Sequence, residues 1–273
     1  SIPVVISKLL DMPPGQLLLS AISNLSLTQS FIPYRDYYMS FNTVAWSISN
    51  EAFFYLVFPF FLLWIHRSNQ GYRLARWLTA LFIVFVPLSI TWVPSEWHHA
   101  IYYINPITRF ADFALGIFMF YGYRQLKQSN WRPGTAMEVG VLGLLSVSII
   151  MCGLIPDVYR YASYYWLPMW LFIGVFAFQN GLLSRLLSAK RLVYLGEISF
   201  AFYLIHRLII YFYFPLKNRL LGSTHPVFDM VMLFLISLVA SILLHEYIEK
   251  PSNRWLKGIL KYGTPRTQVK QQS

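Results

Sequence analysis

Glu51 is a carboxylate in an unexpected solvent. It lies in TVAWSISNEAFFYLVFPFFLLWI (43–65), a run otherwise suited to a lipid bilayer. An acid at the centre of a membrane helix costs about 2.5–3.5 kcal/mol on insertion scales, so it is expected to face protein or water and to have a task. Ser47, Glu51 and Tyr55 share one face of a helix. Two further apolar runs carry polar stripes of the same kind: Asn105, Arg109, Asp112 and Gly116 in INPITRFADFALGI, and Ser199, Tyr203 and His206 in GEISFAFYLIHR. Lipid cannot satisfy such stripes, so they are expected to turn inward, and at about 1.5 Å rise per residue all three lie in the outer half of the bilayer. Carboxylates, a guanidinium and an imidazole at one depth are the groups needed to move a proton and to stabilise a developing negative charge.

Each residue also has a structural reading. Trp46 alone reads as an interfacial anchor, and Ser47, Ser49 and Asn50 as hydrogen-bonding glue between helices. Arg109 and Asp112 could be an intrahelical ion pair, and His206 a satisfied core histidine. Glu51 is harder to explain structurally, because no Lys or Arg lies one turn away on its helix.

The elements that would position these groups follow from composition. The 273 residues are 56% hydrophobic, 18% aromatic and only 12% charged, with a mean hydropathy of +0.49. Soluble domains carry about 25% charged residues, so the expected fold is all-α: a polytopic transmembrane helix bundle. About seven complete spans are expected, near 43–65, 74–93, 106–123, 135–155, 162–183, 192–214 and 226–248. Ile2–Leu10 reads as a partial N-terminal span, the outer end of a helix whose remainder lies upstream. Residues 1–261 read as a single membrane domain and 262–273 as a polar tail.

The net charge of +11 comes from 22 Lys+Arg against 11 Asp+Glu. Alternate connections concentrate it: Arg67, Arg73 and Arg76; Arg124, Lys127 and Arg132; Arg185, Lys190 and Arg191; and the C-terminal set from Lys250 to Lys270. The opposite connections hold Arg35, Arg160, Lys217 and Arg219. The positive-inside rule then puts the C-terminus in the cytoplasm and accounts for the excess charge by topology alone, so the expected partners include membrane lipids and no nucleic acid. Gly15–Thr28, with Leu18, Ile22 and Leu25 on one stripe, is expected to lie in the outer interface as an amphipathic helix.

Weaker signals complete the reading. Glu96-Trp97-His98-His99 lacks four-ligand spacing and reads as a solvated loop, so no metal site is expected. His245, Glu246 and Glu249 read as a charged helix end locked against a neighbour. Asn24-Leu25-Ser26 fits a glycosylation sequon that is frequent by chance, and the lone Cys152 allows no intrachain disulfide.

Four motifs in order carry a resemblance. They are Trp46-Ser47-Ile48-Ser49-Asn50-Glu51 followed by Phe54-Tyr55 and Pro59; Arg109, Asp112, Phe113 and Gly116; Leu195-Gly196, Ile198-Ser199, Tyr203-Leu204 and His206; and Glu249-Lys250-Pro251. In these, over essentially its whole length, the chain resembles the membrane-bound acyltransferase-3 family, which includes bacterial O-antigen, exopolysaccharide and antibiotic-tailoring O-acylases. Ile48 replaces the family's usual leucine. The family's upstream helices carry an arginine and a histidine thought to be the catalytic base, and His206 matches a different family position. The resemblance implies a bacterial inner-membrane enzyme that moves an acyl group, usually acetyl, from acyl-CoA to a hydroxyl of an extracytoplasmic glycan or lipid-linked saccharide. Acetyl-CoA would be a co-substrate, with no bound cofactor. In that scheme Glu51 and Arg109 are catalytic, while Trp46, Ser47, Asn50, Asp112, Ser199, Tyr203 and His206 shape the substrate site. The alternative is a transporter or flippase of a lipid-linked glycan, which proline-interrupted helices (Pro59, Pro87, Pro168) would also suit.

Overall fold

The computed structural model describes residues 11–161, 163–220, 222 and 225–263. The expected segment Ile2–Leu10 and the tail from residue 264 lie outside the described residues. The protein is a helical membrane bundle with no strand among the described residues. The described residues divide into two compact units, residues 11–190 and residues 191–263.

The larger unit begins with α1 (Pro14–Leu25) and a single turn, α2 (Arg35–Tyr38). Two long helices follow, α3 (Trp46–Arg67) and α4 (Asn69–Ser89), joined at Ser68, whose side chain caps α4 by accepting from the Gly71 N–H at 2.9 Å. A π-helical segment, His99–Ile104, leads to α5 (Pro106–Gln128), which packs on both α3 and α4. Then come α6 (Thr135–Met151), the short α7 (Asp157–Tyr161), α8 (Trp166–Phe176) and α9 (Leu182–Leu187). Helix α8 packs on α6 and α5.

Burial is inverted relative to a water-soluble protein. Leu56, Phe60 and Leu63 on α3 are about two-thirds exposed, while Ser49 and Asn50 on the same helix are buried. Outward side chains meet acyl tails at no cost, whereas polar ones must find partners inside. Helix α1 follows the same logic: Leu18, Ile22 and Leu25 face out, and Ser20 and Ser23 are buried. The amide of Asn24 donates to the Ser20 carbonyl and to Ser40 Oγ, both at 2.8 Å, so the sequon asparagine is a structural tie between α1 and the loop after α2.

One buried acid is purely architectural. Glu138 on α6 is 1% exposed and accepts from the backbone N–H groups of Gly181, Leu183 and Ser184 at 3.0, 3.0 and 3.3 Å. It caps α9, and the approach is so close that a Cβ at position 181 would lie 2.0 Å from its Oε2.

The smaller unit contains α10 (Lys190–Leu220), α11 (Pro226–Leu244), a π-helical segment His245–Glu249, and α12 (Lys250–Gly263). Its hairpin is pinned at both ends. Lys217 and Tyr213 on α10 hold Asp229 on α11 at 3.1 and 2.8 Å. At the other end, Tyr194 donates to Glu246 at 3.0 Å, while His245 lies 2.9 Å from Glu249 and 3.9 Å from Glu197. The charged cluster therefore locks one helix end against its neighbour.

Among the described residues five helices are long and apolar enough to cross a membrane: Trp46–Arg67, Asn69–Ser89, Thr135–Leu154, Lys190–Leu220 and Pro226–Gly258. The two other expected spans differ in instructive ways. Helix α5 has the length but spends its polarity on the Arg109–Asp112 stripe and a basic end. The run 162–183 yields only Trp166–Phe176, because Gln179 takes a positive φ of 51° and Asn180-Gly181 turns the chain into α9.

Candidate active site

Helix α5 is started for its task. Asn105 caps it, its side chain accepting from the Ile107 N–H at 2.9 Å, and Pro106 presets the first turn. Asn105 of the sequence stripe is thus a cap. One turn on, Arg109 Nη1 donates to Asp112 Oδ2 at 3.0 Å and to the Tyr161 carbonyl at 2.9 Å. The other carboxylate oxygen of Asp112 accepts from Trp166 Nε1. The ion pair is therefore more than an intrahelical neutralisation, since α7 and the start of α8 clamp it in place.

Above it lies an aromatic box. The Arg109 guanidinium sits 5.2 Å from the Tyr103 ring centroid, and the other neighbours of that ring are Trp46 at 4.8 Å, His99 at 5.2 Å and Tyr161 at 5.4 Å. Trp46 is buried among Tyr38, Ala100 and Ile104, so it is an internal contact and not an interfacial anchor. The tryptophan of the Glu51 helix and the arginine of α5 thus meet through one residue, Tyr103, carried on a π-helical segment. Such segments recur at functional sites because they re-aim side chains that an α-helix would space evenly.

The two loop histidines are packed, not solvated. His98 Nε2 pairs with the Val93 carbonyl at 2.8 Å, and His99 Nδ1 with the Tyr38 hydroxyl at 3.0 Å. Burial, with Arg35 nearby, holds the His99 imidazole below its usual pKa. Burial also pushes the Tyr38 phenol up, against the opposing pull of Arg35. Both shifts favour one arrangement, a protonated phenol donating to a neutral imidazole.

On α3 the polar residues separate by role. Ser47 Oγ donates to the Val44 carbonyl at 3.0 Å. Ser49 is fully buried, donates to the Leu27 carbonyl at 2.6 Å and accepts from Ser30, tying α3 to the segment after α1. Asn50 is 3% exposed, and its Oδ1 has no partner among the described residues. Glu51 is half-buried, and no hydrogen bond or ion pair ties it up among the described residues. The Asn50 carbonyl and the Glu51 carboxylate are thus consecutive polar groups of α3 that have no partner among the described residues and are left able to meet a ligand.

A cavity of about 480 Å³ opens beside the ion pair, lined by Tyr103, Arg109, Asp112, Arg160, Tyr161 and Trp166 and continuing along α5 and α8 past Gly116. Asp112 and Gly116 also line a second cavity, of about 570 Å³, between α3 and α5. No group of His, Cys, Asp and Glu among the described residues is arranged to hold a metal.

Ser199, Tyr203 and His206 belong to the smaller unit, all on α10. Ser199 Oγ donates to the Gly196 carbonyl at 2.7 Å, and His206 Nδ1 pairs with the Tyr203 carbonyl at 2.6 Å. These bonds lie within their own helix. The residues that sequence reasoning missed are Tyr103, Tyr161 and Trp166. The signal for two of them was the aromatic-dense stretch VYRYASYYW (158–166), which by composition reads only as a membrane-interface belt.

Comparison with known proteins now adds an independent finding. Residues 11–246 match the model of the acyltransferase-3 family, described as an acyltransferase domain. The chain is 31% identical over 267 residues to the acyltransferase MdmB of Streptomyces mycarofaciens, with 90% of this chain and 66% of that relative covered. No solved structure matches significantly.

Proposed function

We propose, from the premise that this chain belongs to the acyltransferase-3 family, that it forms the membrane core of an O-acyltransferase. The acyl group, acetyl in the first instance, comes from a coenzyme A thioester on the cytoplasmic side and goes to a hydroxyl of an extracytoplasmic glycan or glycolipid. The basic connections support a cytoplasmic C-terminus and the inner membrane as location. One observation carries the reading: the Trp46 and Arg109 motifs converge on Tyr103 beside a cavity wide enough for a sugar.

The chemistry needs three things. An acceptor hydroxyl attacks the thioester carbonyl, the new C–O bond forms as the C–S bond breaks, and the hydroxyl proton ends on the departing thiolate. A sugar hydroxyl is a weak nucleophile until a base takes its proton, and the carbonyl oxygen gathers charge as it is attacked. Arg109 is the stabiliser of that charge. Two of its contacts fix its plane, so the donors left over need no reorganisation when charge develops. Glu51 orients the base that accepts the hydroxyl proton and stabilises its protonated form; the family resemblance makes that base a histidine other than His206. Trp46, Ser47, Asn50 and Asp112 hold the shape of the site.

Membranes holding the full-length protein, incubated with acetyl-labelled coenzyme A, should place label in the glycan fraction. Glu51→Gln should insert and fold normally yet transfer at least about a hundredfold less, the usual scale for loss of an acid–base group. Wild-type membranes that move a lipid-linked glycan across the bilayer but never label it would replace this reading with transport.

A further inference from the structure

We propose that the cavity between α3 and α5 is the slot for the phosphopantetheine arm of the acyl donor. Its phosphate would bind at Arg124 and His66, and its thioester would lie at Asp112 and Gly116. The proposal rests on the acyltransferase reading and adds to it where the donor lies.

The cavity is polar at both ends and apolar between. Tyr55, Asp112 and Gly116 line one end, and His66, Tyr121 and Arg124 the other. Phe58, Leu62 and Ile117 form the stretch between them. Asp112 and Arg124 are twelve residues apart on one helix, which is about 18 Å of rise. A phosphopantetheine arm has about thirteen bonds from phosphorus to sulfur, or roughly 16–17 Å extended at about 1.25 Å of projection per bond. The slot therefore fits the arm in length.

Charge selects the direction. Arg109 and Arg160 are each paired with an aspartate, Asp112 and Asp157. Arg124 has no carboxylate within ion-pair distance among the described residues; its guanidinium lies over the Phe120 ring at 5.9 Å. Beside it, His66 Nε2 and the Tyr121 hydroxyl are 3.0 Å apart. An exposed, unneutralised guanidinium with an imidazole and a phenol at the mouth of an apolar slot suits a phosphate ester whose tail enters the slot. The mouth lies at the basic, cytoplasmic end of α5, where the donor would arrive.

Gly116 marks the other end. It lines this cavity and the one beside Arg109, and a Cβ there would meet nothing within 4 Å. The thioester can thus approach Arg109 past the one position on this helix face that has no side chain.

The test is binding of tritiated coenzyme A to the full-length protein in nanodiscs at fixed ionic strength. Arg124→Glu should weaken it by roughly tenfold or more, the scale of a lost charge-assisted contact. Pantetheine, which lacks the phosphate, should bind wild type and Arg124→Glu alike. Leu62→Trp fills the slot without changing charge and should weaken both probes. Arg132→Glu, outside the cavity, should leave coenzyme A binding within about twofold. Undiminished coenzyme A affinity in Arg124→Glu, an equal loss in Arg132→Glu, or no binding by wild type would each overturn the slot. Failure of the slot is separable from failure of the function: label transfer with an unchanged KM for acetyl-CoA in Arg124→Glu removes the slot alone, whereas absence of transfer in wild type removes the acyltransferase reading.

Discussion

Helix α5 carries an arginine near each end, and the two are held in opposite ways. Arg109 is bonded to Asp112 and to the Tyr161 carbonyl and lies over Tyr103. Arg124 is exposed, lies over a phenylalanine ring and has no acid beside it among the described residues. The first is a charge already neutralised and fixed in plane, which suits a group that must meet a fleeting oxyanion without rearranging. The second is a charge awaiting a counterion, which suits a group that holds a stable anion. Position in the same helix does not assign a role; the degree of prior engagement does.

The comparison breaks most sharply at Arg109. Arg109→Lys keeps the charge but loses the planar fork, and one ammonium cannot reproduce the fixed guanidinium plane between Asp112, Tyr161 and the Tyr103 face. Turnover should fall by about 10²–10³, the range seen when an oxyanion donor is lost, with the KM for acetyl-CoA nearly unchanged. A Lys variant with near-normal kcat would make Arg109 a structural cation and erase the distinction from Arg124.

A smaller effect is expected one contact further out. Trp166→Phe removes the indole N–H that holds Asp112 while keeping an aromatic ring in the cavity wall. Asp112 would then have Arg109 as its remaining clamp, and the plane of that guanidinium would loosen. About a tenfold drop in kcat is expected, with normal insertion and melting temperature. An equal loss of stability and activity would instead mean that the indole contributes packing and nothing to orientation.

What the sequence made legible follows the same line. The stripes were readable because helix spacing alone puts Arg109 beside Asp112 and Ser47 beside Glu51. The inversion of α1 was readable because lipid tolerates leucine and not serine. Tyr103 and Tyr161 were not readable. One sits in a π-helical segment, where the expected periodicity fails, and the other contributes a backbone carbonyl, which carries no residue-type signal. Glu138 was hidden for a related reason: its partners are backbone N–H groups more than forty residues away. At 162–183 the helix is shorter than the apolar run, because hydropathy carries no sign of the turn made by Gln179, Asn180 and Gly181.

The gentlest probe of the Arg109 end is protonation of its aromatic roof. His99 stacks on Tyr38, meets Tyr103 and Tyr161 through ring contacts, and accepts the Tyr38 hydroxyl at Nδ1 when neutral. Burial, then Arg35, holds its pKa below the unfolded value near 6.5. The sign follows from linkage: between those two values the unfolded chain binds the proton that the folded chain refuses, so stability falls as pH drops below about 6.5 and is unaffected above it. Thermal unfolding in detergent should therefore show a lower Tm for wild type at pH 5.5 than at pH 7.5. His99→Gln can still accept from Tyr38 and does not titrate, so part of that acid loss should disappear in the variant. If the two curves instead run parallel across this range, His99 is free to protonate in place, and the roof over Arg109 is a looser structure than the fixed guanidinium beneath it requires.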